Sequence, residues 1–105
     1  MATYIKREYH NNGKIKCKYF LCDGKIEGKY KEYFENGQFK IICNYIDNKK
    51  HGECKYYDQG TYGIYTYCIY NYIDDKLNGI YKKYDKNRNI LIKFNYINGK
   101  IQRIL

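Results

Sequence analysis

The chain has no proline, no tryptophan and a single methionine. It has no run approaching the ~20 consecutive apolar residues of a membrane-spanning helix. The opening MATYIKREYHNNGK lacks the apolar core of a secretion signal. No amphipathic run with a 3.6-residue period is long enough to predict a helix. No Cys-x-x-Cys pair occurs, so the spacing typical of zinc and redox sites is missing. There is no glycine-rich phosphate loop, no paired buried carboxylates and no nucleophile–base–orienter set. These absences lead us to expect a non-enzymatic chain with no cofactor, no metal and no small-molecule substrate. It is expected to stay in a reducing cytoplasm (a host's, if the source is viral), with its five cysteines as free thiols.

What is present is strongly biased. Lysine, asparagine, isoleucine, tyrosine and phenylalanine make up well over half of the 105 residues. All five have A/T-rich codons, as expected of a low-GC bacterium or a large DNA virus. The length suits one domain, 1–105. The formal charge is +9, with the lysines spread along the chain. Two readings of that charge stand side by side: an ordinary solvated surface, or attraction to nucleic acid or an anionic membrane.

A repeat runs through the sequence. Gly28, Gly52 and Gly79 open similar segments, which close on NYIDNK from Asn44, NYIDDK from Asn71 and NYINGK from Asn95. A degenerate copy, EYHNNGKIKCKYFLCDGK, precedes them. Four units of about 24 residues follow, roughly 4–27, 28–51, 52–78 and 79–102, the third carrying three extra residues. Each unit reads as a β-hairpin. In the second, a strand Lys29–Phe34 leads through Glu35-Asn36-Gly37 to a strand Phe39–Ile46. An Asn-Gly pair suits a type I′ turn, and polar pairs such as Asp47-Asn48 return the chain. The fold class is therefore all-β: an elongated, twisted antiparallel meander of about eight short strands.

Aligned by the repeat, the second strands place Cys17, Ile41, Cys68 and Ile92 in one column, with Phe39 on the same apolar face. Tyr65, Tyr67 and Ile69 fall on the opposite face, where the sibling units carry mostly polar residues. The glycine, the tyrosine pair, Asn-Gly and NYxxxK together resemble MORN-type repeats. They are most similar to the variant in bacterial proteins labelled YwqK-family antitoxins. In departures from that pattern, Arg88 replaces the turn glycine of the fourth unit and Tyr4 stands at the first unit's glycine. The resemblance implies a sheet of hairpins that acts as a scaffold or binding module, with protein partners and, in some proteins, acidic phospholipids. It implies no enzyme.

The cysteines occupy hydrophobe positions of their sibling units and are expected to pack as small apolar residues. His10 and His51 fall in turn columns and are expected to be solvated. The candidate partner-binding residues are Tyr65, Tyr67 and Ile69 with Tyr62 in the adjoining insertion, and the first-strand tyrosines Tyr30, Tyr33, Tyr57, Tyr81 and Tyr84. For each set the alternative is plain packing, a cross-strand ladder holding the sheet together. The edges at 2–9 and 101–105 are open to another chain, including a second copy. For an anionic partner, phospholipid or nucleic acid, the candidate stripe is Lys14, Lys16, Lys18 and Lys40.

Overall fold

The computed structural model describes residues 3–59 and 66–104. They form one antiparallel sheet of consecutive hairpins. The strands are β1 (Thr3–Tyr9), β2 (Ile15–Cys22), β3 (Lys25–Tyr33), β4 (Phe39–Ile46), β5 (Lys49–Lys50), β6 (Gly52–Asp58), β7 (Thr66–Ile73), β8 (Lys76–Leu77), β9 (Gly79–Tyr84), β10 (Ile90–Ile97) and β11 (Lys100–Ile104). The sheet order is β1-β2-β3-β4-β6-β7-β9-β10-β11, with β5 paired to β4 and β8 to β7. The meander expected from the repeat is there. The strand count exceeds eight because β5 and β8 are two-residue pieces that stop just short of β6 and β9, and because β11 returns along β10. The Cα envelope measures 43 × 36 × 16 Å. A flat single layer would be far thinner, so the depth reflects the usual strand-to-strand twist.

The turn chemistry is distributed differently from the sequence expectation. Tyr33 pairs with Phe39, so five residues separate them, too many for a two-residue type I′ turn. Instead Gly37 N donates to Phe34 O at 2.9 Å, and Gly37 alone takes positive φ, +90°. This is a type I turn closed by a left-handed residue. Asn36 contributes its side chain, whose Oδ1 accepts from Gln38 N at 2.9 Å. The type I′ turns lie at the opposite ends of the strands. Asp47 and Asn48 both have positive φ, as do Asp23 and Gly24, Asp74 and Asp75, and Asn98 and Gly99. Each pair sits between residues that face each other directly, as Ile46 faces Lys49.

The repeat's signature residues have structural reasons. Gly28, Gly52 and Gly79 have φ near +82° to +94° and lie opposite Tyr45, Tyr72 and Tyr96. Only glycine takes that conformation at low cost. The Asn71 amide donates to Ile80 O at 2.9 Å, supplying a backbone partner where β8 gives way to β9. Successive turns are also tied together. Asn48 N donates to Ile26 O, Asp75 N to Lys50 O and Gly99 N to Leu77 O, all within 3.0 Å.

Arg88 occupies the left-handed turn position that Gly13 and Gly37 hold in the first two units, at φ +67°. A side chain there costs about 1 kcal/mol. Arg88→Gly is expected to stabilise the protein by roughly that amount and raise the thermal midpoint by about 5 °C. Calorimetry checks this, and an unchanged or lower midpoint would contradict it.

Candidate binding surface

Three hairpins carry a register shift beside the short turn. Lys16 is the extra residue between the pairs Glu8–Cys17 and Tyr9–Ile15. Lys40 lies between Glu32–Ile41 and Tyr33–Phe39, and Leu91 between Lys83–Ile92 and Tyr84–Ile90. Such a bulge turns the residues beyond it to the other face. The third hairpin pairs without a shift from Gly52–Tyr72 through Asp58–Thr66. So Phe39 does not share the face of Ile41, as the repeat alignment had it. It lies opposite Tyr33, and Tyr67 is its structural sibling. Tyr67 is therefore one member of a row present in several units rather than a feature of the third unit alone.

The row is continuous. Ring centroids lie 5.1 Å apart for Tyr33–Phe39, 6.3 Å for Phe39–Tyr57, 5.6 Å for Tyr57–Tyr67 and 4.9 Å for Tyr67–Tyr84, with planes within 30° of one another. This is a ladder of five rings across five strands, here called the ladder face. Its rings are half-buried by each other, and Phe39 remains 38% exposed.

The opposite face is the closed one. It holds the buried residues Cys17, Cys43, Cys54 and Tyr81. Rings flank the thiols: Tyr19–Tyr30 at 5.4 Å and Tyr30–Tyr45 at 5.8 Å on one side, Tyr56–Tyr70 at 5.6 Å, Tyr70–Tyr81 at 4.6 Å and Tyr81–Phe94 at 4.6 Å on the other. The five first-strand candidates thus divide. Tyr30 and Tyr81 belong to the closed face, while Tyr33, Tyr57 and Tyr84 belong to the ladder with Tyr67. Ile69 also lies on the ladder side, in the neighbouring row. Tyr62 and Tyr65 lie outside the described residues.

The Lys14, Lys16, Lys18 and Lys40 stripe is not assembled as a row. Lys14 sits in the first turn, its amide donating to Asn12 Oδ1 at 2.9 Å. Lys16 and Lys40 are bulge residues lining one hollow with Glu32 and His10. Lys40 pairs with Glu32 at 3.3 Å. Lys18 joins a different row, opposite Lys31. His10 is not a solvated turn residue, since its Nε2 lies 2.9 Å from Tyr33 O of the next hairpin.

The thiols were expected to pack, and all five are free. Among the described residues no group of His, Cys, Asp or Glu is placed to hold a metal ion. The contact that repeat columns could not reveal is Cys43 with Cys54, which the meander brings together on adjacent strands. The Cys54 thiol bonds to Cys43, so its pKa is driven up, while that of Cys43 is lowered by accepting the bond. Lys50 caps this cluster. Its Nζ donates to Tyr56 Oη at 3.2 Å and lies 5.2 Å from the Tyr72 ring centre. Cys17 is pushed up to about 11 by burial and by its 2.8 Å bond to Glu8 Oε2.

Burial raises the tyrosines of the closed face as well. Tyr45 is pushed up to about 12, first by burial and then by the two thiols beside it. Tyr30, Tyr56 and Tyr81 move in the same direction, burial being the largest cause in each. In the unfolded chain these phenols ionise near 10. Above that value the folded state holds more protons than the unfolded one, so stability must fall with rising pH. The urea midpoint is therefore expected to decline steeply from about pH 10 towards pH 12. A midpoint flat across that window would contradict the burial of these hydroxyls.

Compared with known proteins, a family model described as a MORN repeat variant matches residues 26–47. No curated protein and no solved structure matches the chain. The matched segment covers β3 from Ile26 onward, the turn at Gly37, β4 and the start of the type I′ turn. It is one unit of the observed repeat and supports reading the chain as a MORN-type repeat protein.

Proposed function

We propose that the protein is a non-catalytic interaction module that holds a protein partner on its ladder face. The carrying observation is the continuous row Tyr33, Phe39, Tyr57, Tyr67 and Tyr84 on a face where, among the described residues, no second layer packs. Contiguous exposed apolar surface of this kind marks interaction sites, and tyrosine supplies contact area with little entropy to lose. The MORN repeat match supports a binding or scaffold role. The finer likeness to YwqK-family antitoxin-like proteins fits this reading and assigns no activity of its own. The module works in the cytoplasm, without cofactor or substrate, and its open edges at β1 and β11 leave room for strand addition.

A photoreactive benzoylphenylalanine substituted at Tyr67 or at Tyr81, expressed in the native cell, tests the reading. A defined protein is expected to crosslink from position 67 and not from position 81. Crosslinking from 81 alone, or from neither position, would overturn the assignment of the ladder face.

A further inference from the structure

The ladder face carries a second transverse row, two residues further along each strand, or three where a bulge intervenes. Arg7 lies opposite Lys18 and Lys18 opposite Lys31. The row continues from Lys31 to Ile42, Lys55 and Ile69. It ends through Lys82 at Lys93. Six of its eight members are cations and none is a carboxylate. At about 4.8 Å per strand it spans roughly 34 Å, and it runs about 7 Å from the ring ladder. The two ion pairs described in the protein, Lys25–Asp47 and Lys40–Glu32, both lie outside it. Glu53 lines one hollow together with the row members Lys31, Ile42 and Lys55, so a single carboxylate stands beside the row at its centre.

Like charges placed directly opposite on a sheet are destabilising. Arg7–Lys18, Lys18–Lys31 and Lys82–Lys93 are such pairs. Ile42 and Ile69 stand in the same row, so apolar side chains fit there. Packing does not require lysines there, and an anionic occupant offsets the mutual repulsion that a merely solvated row keeps.

We propose that the basic row and the ring ladder together seat an acidic, partly apolar protein segment. Its carboxylates meet Arg7, Lys18, Lys31, Lys55, Lys82 and Lys93, and its apolar side chains meet the rings with Ile42 and Ile69. The inference rests on the protein-interaction reading above and adds the chemistry of the partner. Two observations favour polypeptide over the other anions. Nucleic-acid bases stack on free ring faces, and here the ring faces are turned to one another, the Tyr67 and Tyr84 planes lying within 14°. A membrane offers a plane, whereas this row crosses eight strands of a twisted sheet 16 Å deep.

Fluorescence anisotropy with a labelled synthetic peptide of repeating Glu-Glu-Leu-Leu tests the proposal. A single-stranded oligothymidylate of equal charge and phosphatidylserine vesicles serve as competitors. The wild type is expected to bind the peptide best, with affinity falling about tenfold or more as salt is raised. Lys31→Glu with Lys82→Glu should weaken peptide binding about tenfold or more while holding or raising the thermal midpoint, since like-charge pairs become opposite-charge pairs. Peptide binding indifferent to the reversal, stronger binding of oligothymidylate or vesicles, no peptide binding by the wild type, or a lowered midpoint in the variant would each overturn the proposal. If position 67 still crosslinks a protein partner in the charge-reversed chain as in the wild type, the interaction reading stands and the acidic chemistry falls. If position 67 crosslinks nothing even in the wild type, the interaction reading itself fails.

Discussion

Rings lying against rings of the neighbouring strand do in this sheet what a second layer does in a sandwich. Among the described residues each strand has neighbours in the plane and no second layer above or below it. Only Cys17, Cys43, Cys54 and Tyr81 are buried among the described residues, and only Cys43 and Cys54 fully so. Aromatic pairs across strands contribute about 0.5–1.5 kcal/mol each beyond the area they bury. A tyrosine row can also leave its hydroxyl edge in water while its ring body stays covered. A chain with 16 tyrosines can thus hold a single layer together without hiding either face completely.

That constraint explains the repeat. Each unit must present a ring at the same height as the last, so the units stack in register. The glycine opposite a tyrosine, the asparagine amide that bridges the strand break, and the bonds from turn to turn keep the height constant. Coupling runs mainly between neighbouring units, the quasi-one-dimensional arrangement of repeat proteins. The two faces then diverge. One gathers thiols and rings into a strip that holds the buried residues. The other carries the ring ladder and the basic row.

Much of this was legible in the sequence. The spacing of Gly28, Gly52 and Gly79 and the recurring NYI segments gave the hairpins, their order and the all-β class. Three features were not legible because they depend on pairing rather than period. The bulges at Lys16, Lys40 and Leu91 leave the repeat length untouched yet turn Phe39 to the other face. The straight third hairpin makes Tyr67 the sibling of Phe39, although alignment sets it beside Lys40. The type I′ turns sit at Asp47-Asn48 and its equivalents rather than at Asn36-Gly37, since only the register says how many residues a loop must span. The basic row was hidden for the same reason: its members come from eight different strands, and no stretch of sequence contains them together.

The division into a closed face and a partner face is the central claim. The most direct measurement is covalent footprinting of tyrosine and lysine side chains, comparing the free protein with its complex recovered from the native cell. The account predicts new protection at Tyr33, Tyr57, Tyr67, Tyr84, Lys31, Lys55 and Lys82. It predicts no change at Tyr81, which is already buried, or at Tyr30 and Tyr70, which lie on the opposite face. Protection confined to the closed face or to the edge strands, with the ladder as reactive as before, would contradict it.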